Sequence, residues 1–198
     1  MTATPDDLNA LLGSRICHDL INPLGAISNG LELLAMAGAA HGPEMSLISE
    51  SVENANARIR FFRVAFGAAS PGQEIGRAEI LSILGPLSSG KLIIDWQPET
   101  HPLRAEVKLA FLLIQCLETA MPWGGKIEVR RDDDGWHLAG RAERLKPLPG
   151  LWPVVSESAG RGDIDACHVH FPLAHRAAAD LGRHLSVAEG AGQITLSF

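Results

Sequence analysis

Residues Arg15 to Leu34 read RICHDLINPLGAISNGLELL. Leu20, Leu24, Ile27, Leu31 and Leu34 recur at spacings of 4, 3, 4 and 3, the period of a helix that buries one stripe against other helices. Leu8, Leu12 and Ile16 extend the stripe upstream in steps of four. Into this helix the chain sets His18 beside Asp19, then Asn22 and Pro23. Proline has no N–H to give, so the carbonyl of Asp19 loses its intrahelical partner and a bend is expected there.

Downstream, AMAGAAHGPE (residues 35–44) has the glycines and proline of a short turn. A second stripe follows at Ile48, Val52, Ala55, Ile59, Phe62 and Phe66. Two helices of roughly thirty residues joined by a short loop form an antiparallel hairpin. Such a hairpin has too little partner surface to bury both stripes, which predicts pairing with a second copy into a four-helix bundle. The expected organisation is a helical hairpin over residues 1–69, a small-residue linker over 70–76 and a second domain over 77–198.

The second domain changes pattern. KLIIDW (Lys91–Trp96) reads as a strand and RAEVKLAFLLIQCLETAM (Arg104–Met121) as an apolar helix. Lys126 to Ala142 reads as a hairpin about DDDG, His170 to Gly182 as a helix, and HLSVAE with QITLSF as a closing hairpin. The expected class is α+β: a dimeric helical bundle followed by an α/β sandwich with helices on one sheet face.

Composition narrows the function. Hydrophobic residues make up 46% of 198 and the net charge is −6, which predicts a packed globular protein and argues against nucleic acid as a partner. No apolar run is long enough for a membrane span, and the acidic start MTATPDDLNALL lacks the order of a signal peptide, so a cytoplasmic protein is expected. Cys17, Cys116 and Cys167 are widely spaced, fit neither a disulfide framework nor a C-x-x-C pattern, and are expected to behave as small buried hydrophobes.

With Leu20 taken as the buried direction, position 18 points about 160° away at about 100° per residue. Ser14, Asn22, Gly25 and Asn29 share that face, with Arg15 on its flank. All four are small or polar, which leaves an imidazole open to another protein. Asp19 is placed to accept one ring N–H, leaving the other nitrogen as nucleophile. A solvated surface histidine is the alternative.

HDLINPLGAISNGLELL resembles the phosphoacceptor motif of sensor histidine kinases, His-Asp/Glu-x-x-Asn/Thr-Pro, matched by His18, Asp19, Asn22 and Pro23. The remainder then resembles the kinase ATP-binding domain, with three departures. The kinase pattern expects asparagines near Gln115 and at Thr119, and only Ala120 and the Gly124-Gly125 turn survive. WHLAGRAERL has no aspartate where an Asp-x-Gly-x-Gly box should be. HVHFPL (His168–Leu173) stands where a glycine-rich loop should let backbone N–H groups reach phosphates.

An acceptor histidine on a kinase-like frame without the nucleotide site resembles the ChpT-type histidine phosphotransferases. That resemblance implies a homodimer relaying a phosphoryl group through His18, from the receiver domain of a hybrid histidine kinase to that of a response regulator. It implies no cofactor on this chain, with Mg²⁺ supplied by the partner receiver. Arg60 and Arg63, one turn apart, fall at about the height of His18 if the hairpin turns near residue 40, and are expected to meet the receiver's acidic site or the phosphoryl group. His168, His170 and His175 raise a metal reading, with two of them on one strand face, but no fourth ligand is apparent and no metal is expected. An active kinase with an aberrant lid, and a non-catalytic dimeric regulator, remain as alternatives.

Overall fold

The computed structural model describes residues 5–36, 42–88, 90–157 and 164–198; the side chains of residues 5–12, 14, 15, 18, 19 and 23 lie outside that description. The chain divides into two compact units, residues 1–68 with 82–87 and residues 69–81 with 88–198.

The first unit holds α1 (Pro5–Met36) and α2 (Pro43–Ala65). Pro43 opens α2 at a position whose N–H would have no helical partner anyway. The turn expected over 35–44 falls largely outside the described residues. α1 continues as one helix across Pro23. A Cβ on Gly13 would lie 3.7 Å from the Cβ of Phe66, which sets the antiparallel register of the pair.

The stripes are rotated from where the heptad spacing put them. Leu20, Ile27 and Leu34 are 47%, 50% and 47% exposed, whereas Cys17 is buried. The direction facing α2 is therefore turned from Leu20 towards Cys17. On α2 the buried residues are Ala57, Phe61, Val64 and Ala65. Of the expected stripe, Phe62 and Phe66 are half-buried and Ile48 is exposed. A single neighbouring helix covers only one edge of so wide an apolar stripe.

The second unit is a five-stranded mixed sheet, β1 (Leu92–Trp96), β2 (Gly125–Asp132), β3 (Gly135–Arg141), β4 (Ser186–Gly190) and β5 (Gln193–Ser197), in the order β1-β2-β3-β5-β4. β1 and β2 are parallel, joined through α4 (Arg104–Ala120); the other pairs are antiparallel. Alternation gives one apolar face: Ile94, Trp96, Ile127, Val129, Leu138, Ile194 and Leu196 are buried. α4 packs tightly on it, because Gly140 has no side chain; a Cβ there would meet Leu117 Cδ2 at 3.0 Å and Met121 Sδ at 3.1 Å. α6 (His170–Asp180) packs beside α4, and the short α5 (Leu151–Ser156) packs against α6. The opposite face is polar: Lys126 Nζ pairs with Asp95 at 3.1 Å and Glu128 at 2.9 Å.

α3 (Arg77–Leu87) straddles the division and, like α5, was not read from sequence. Residues 70–76 are not a free tether: Ile75 is buried and its N–H donates to Pro102 O at 3.1 Å. Among the described residues no helix is long and apolar enough to cross a membrane.

Candidate functional site

Position 18 lies in the middle of α1, one residue after the buried Cys17. The side chains of His18, Asp19, Ser14 and Arg15 lie outside the described residues, but the rest of their face is described. Asn22 and Asn29 are exposed, and a Cβ on Gly25 would meet nothing within 4 Å. The described part of the face on which position 18 sits is therefore open over the two turns from Asn22 to Asn29.

The register fixes what stands beside it. With Gly13 against Phe66, antiparallel counting brings positions 17–19 to the level of residues 60–62 on α2. Arg63 is close enough to Cys17 for its charge to favour the thiolate, although burial is the larger effect and raises the thiol pKa. Arg60 Nη2 donates to Ser82 Oγ at 2.8 Å. Both arginines thus stand at the height the sequence suggested, with Arg60 held by a hydroxyl on α3 that sequence reasoning missed. Twenty-two residues separate that pair, and no local pattern announces it.

In the second unit, the positions where the kinase pattern would bind nucleotide carry other bonds. Thr119 Oγ1 donates to Gln115 O at 2.9 Å and lies 3.0 Å from His170 Nε2. With the hydroxyl proton on the carbonyl, Nε2 of His170 carries the proton donated to Oγ1. Burial, aided by the charge of His168, lowers the pKa of His170 to about 4, so the imidazole is neutral near neutral pH. HVHFPL is neither strand nor glycine loop: Ala166–His168 form a 3₁₀ turn and His170 opens α6. The shared strand face expected for His168 and His170 does not exist. Cys167 is exposed, against its expected burial.

Thr119→Val keeps the shape of the side chain but removes the oxygen on which His170 rests. A buried N–H without a partner costs about 1–3 kcal/mol, so Thr119→Val should lower the urea midpoint with the denaturant slope unchanged. A midpoint at the wild-type value would mean that water or another group replaces the hydroxyl.

Comparison with known proteins places this arrangement. The family described as histidine phosphotransferase C-terminal domain matches residues 77–193, beginning at the first residue of α3. Protein phosphotransferase ChpT of Brucella abortus (strain 2308) is 34% identical over 204 residues, which cover 100% of this chain and 97% of that one. A bacterial phosphotransferase solved at 1.7 Å superposes with a TM-score of 0.68 at 31% identity, over 100% of this chain and 98% of its own. The chain belongs to the ChpT-type histidine phosphotransferase family.

Proposed function

We propose that the chain relays a phosphoryl group through His18, from the phosphoaspartate of a hybrid-kinase receiver domain to the aspartate of a response-regulator receiver. An imidazole nitrogen attacks phosphorus, the N–P bond forms as the P–O bond to the aspartate breaks, and the donor carboxylate leaves. The second half runs the same displacement in reverse onto the acceptor aspartate. Asp19 accepts the other ring N–H and fixes the tautomer, and Asn22 lies one turn on, at the edge of the phosphoryl's path. Mg²⁺ comes with the receiver and offsets the phosphoryl charge; this chain supplies nucleophile and positioning. Arg60 and Arg63 meet the incoming acidic site, while Ser14, Arg15, Gly25 and Asn29 form the surface that receives it.

The observation that carries this reading is the open face of α1, where Asn22, Gly25 and Asn29 leave room for a receiver to bring an aspartate to the imidazole. The exposed stripe of Ile16, Leu20, Ile27 and Leu34 supports a homodimer, since a second hairpin would cover it and complete four helices. The bonds on Thr119 support a chain that neither binds nor uses ATP. The absence of a spanning helix among the described residues fits a relay carried out in the cytoplasm.

The test is direct. Purified chain is mixed with a receiver carrying labelled phosphoaspartate, and separately with labelled ATP and Mg²⁺. The expected result is an acid-labile, base-stable adduct mapped to His18 in the first mixture and no label in the second. Label from ATP would make the chain a kinase. No label from either would leave a dimeric scaffold that only binds receivers.

A further inference from the structure

One turn of the second unit gathers three different donor atoms. Asp165, Cys167 and His168 each offer one ligand atom, and these atoms lie within 4.8 Å of one another. We infer that Asp165, Cys167 and His168 bind a divalent transition-metal ion, zinc by the chemistry of the set, with water as the fourth ligand.

The backbone explains why they converge. Asp165 precedes the 3₁₀ turn and His168 N–H donates to its carbonyl at 2.8 Å. Its carboxylate takes no part in capping that turn. Cys167 Sγ stands 3.6 Å from His168 Nδ1. Zinc bonds of about 2.3 Å to sulfur and about 2.0 Å to nitrogen, at the tetrahedral angle, set those two atoms about 3.5 Å apart. The 3.6 Å spacing matches that one edge, with an Asp165 oxygen within 4.8 Å of the other two donor atoms.

The imidazole is also held. His168 meets Phe171 edge-to-face with ring centroids 6.1 Å apart, and it lines a cavity of ≈ 290 Å³ with Lys146, Pro147, Leu148, Pro149 and Leu151. Contact on one side of this half-buried ring reduces the freedom it loses when it takes a ligand. Asp165 and Cys167 are exposed, so an ion can enter and its fourth position faces water.

The donor set selects the ion. Thiolate with imidazole suits zinc or cobalt(II), whereas Mg²⁺ prefers oxygen alone. His170 and His175, the other histidines of this stretch, are engaged elsewhere: His170 lies on Thr119, and His175 Nδ1 is 3.0 Å from Val155 O. The three histidines weighed and set aside in the sequence share only His168 with this set. Binding exchanges the thiol proton for the metal and releases it to solvent, so apparent affinity should rise with pH. This site does not rest on the relay through His18.

Tag-free full-length chain, stripped with chelator and kept reduced, is titrated with Co²⁺ while the thiolate-to-cobalt charge-transfer band is followed. The expected result is one ion per chain, displaced by Zn²⁺. The band should be absent in Cys167→Ser, and the affinity at least about tenfold weaker in His168→Ala and Asp165→Asn. A wild-type chain without the band overturns the site, as does a band that survives in Cys167→Ser and so arises from the buried Cys17 or Cys116. Asp165→Asn sits on an exposed turn and tests the same ion should either other variant misfold.

Discussion

His18→Ala should abolish uptake of phosphate from an aspartyl-phosphorylated receiver while leaving the helical content of the chain intact. A methyl group offers no lone pair to phosphorus, and the mechanism proposed here has no second nucleophile in reach. Loss of the nucleophile typically removes about 10⁴-fold or more of the rate, which leaves only spontaneous hydrolysis of the donor phosphoaspartate. Position 18 lies on the face whose described members, Asn22 and Asn29, are exposed, so the substitution should not disturb packing. Alanine also favours the helix more than histidine does. The measurement is single-turnover transfer from a labelled receiver, with wild type and variant side by side. Transfer at the wild-type rate would assign the phosphoryl group to another of the eight histidines or to none.

Much of this was legible in the residues, and the failures have physical causes. The 4-3-4-3 spacing gave α1 and α2, and alternation gave the strands, because both report a periodic environment. Periodicity does not say which edge of an apolar stripe a neighbour takes. Leu20 was therefore read as buried in the hairpin although Cys17 is the residue that faces α2. α5 covers six residues, Leu151–Ser156, which is too short for a 3.6-residue period to show. The alternation of His168, Val169 and His170 imitates a strand, but a 3₁₀ turn and the start of α6 occupy those positions. At the candidate site, the motif from His18 to Pro23 and the height of the two arginines came from sequence. The bond from Arg60 to Ser82 and the buried pair of Thr119 with His170 join residues 22 and 51 apart, which only a fold can bring together.

Gly124→Ala should be among the most damaging single substitutions in the second unit, for a reason unrelated to nucleotides. Gly124 has φ +100°, a region that side-chain-bearing residues rarely enter. A Cβ built on it falls onto the carbonyl of Lys91. That carbonyl accepts the N–H of Gly125 at 2.8 Å, and the parallel pairing of β1 with β2 starts beside it, with Leu92 opposite Gly125. Alanine must therefore strain its own backbone and also push away the oxygen that sets the sheet register. A strained dihedral costs about 1–3 kcal/mol and the loss of a half-buried backbone hydrogen bond about 0.5–1.5 kcal/mol more, so a total of about 3 kcal/mol is expected. Gly72→Ala is the matched control: its φ is +72°, but a Cβ there meets nothing within 4 Å, so only the dihedral penalty of about 1 kcal/mol should appear. Urea unfolding of the two variants separates clash from strain. Equal losses would mean that the Lys91 carbonyl yields easily and the glycine is replaceable. A much larger loss at Gly124 would show that Gly124 and Gly125 close the turn between α4 and β2, a task of the fold, so their presence carries no claim that a phosphate binds there.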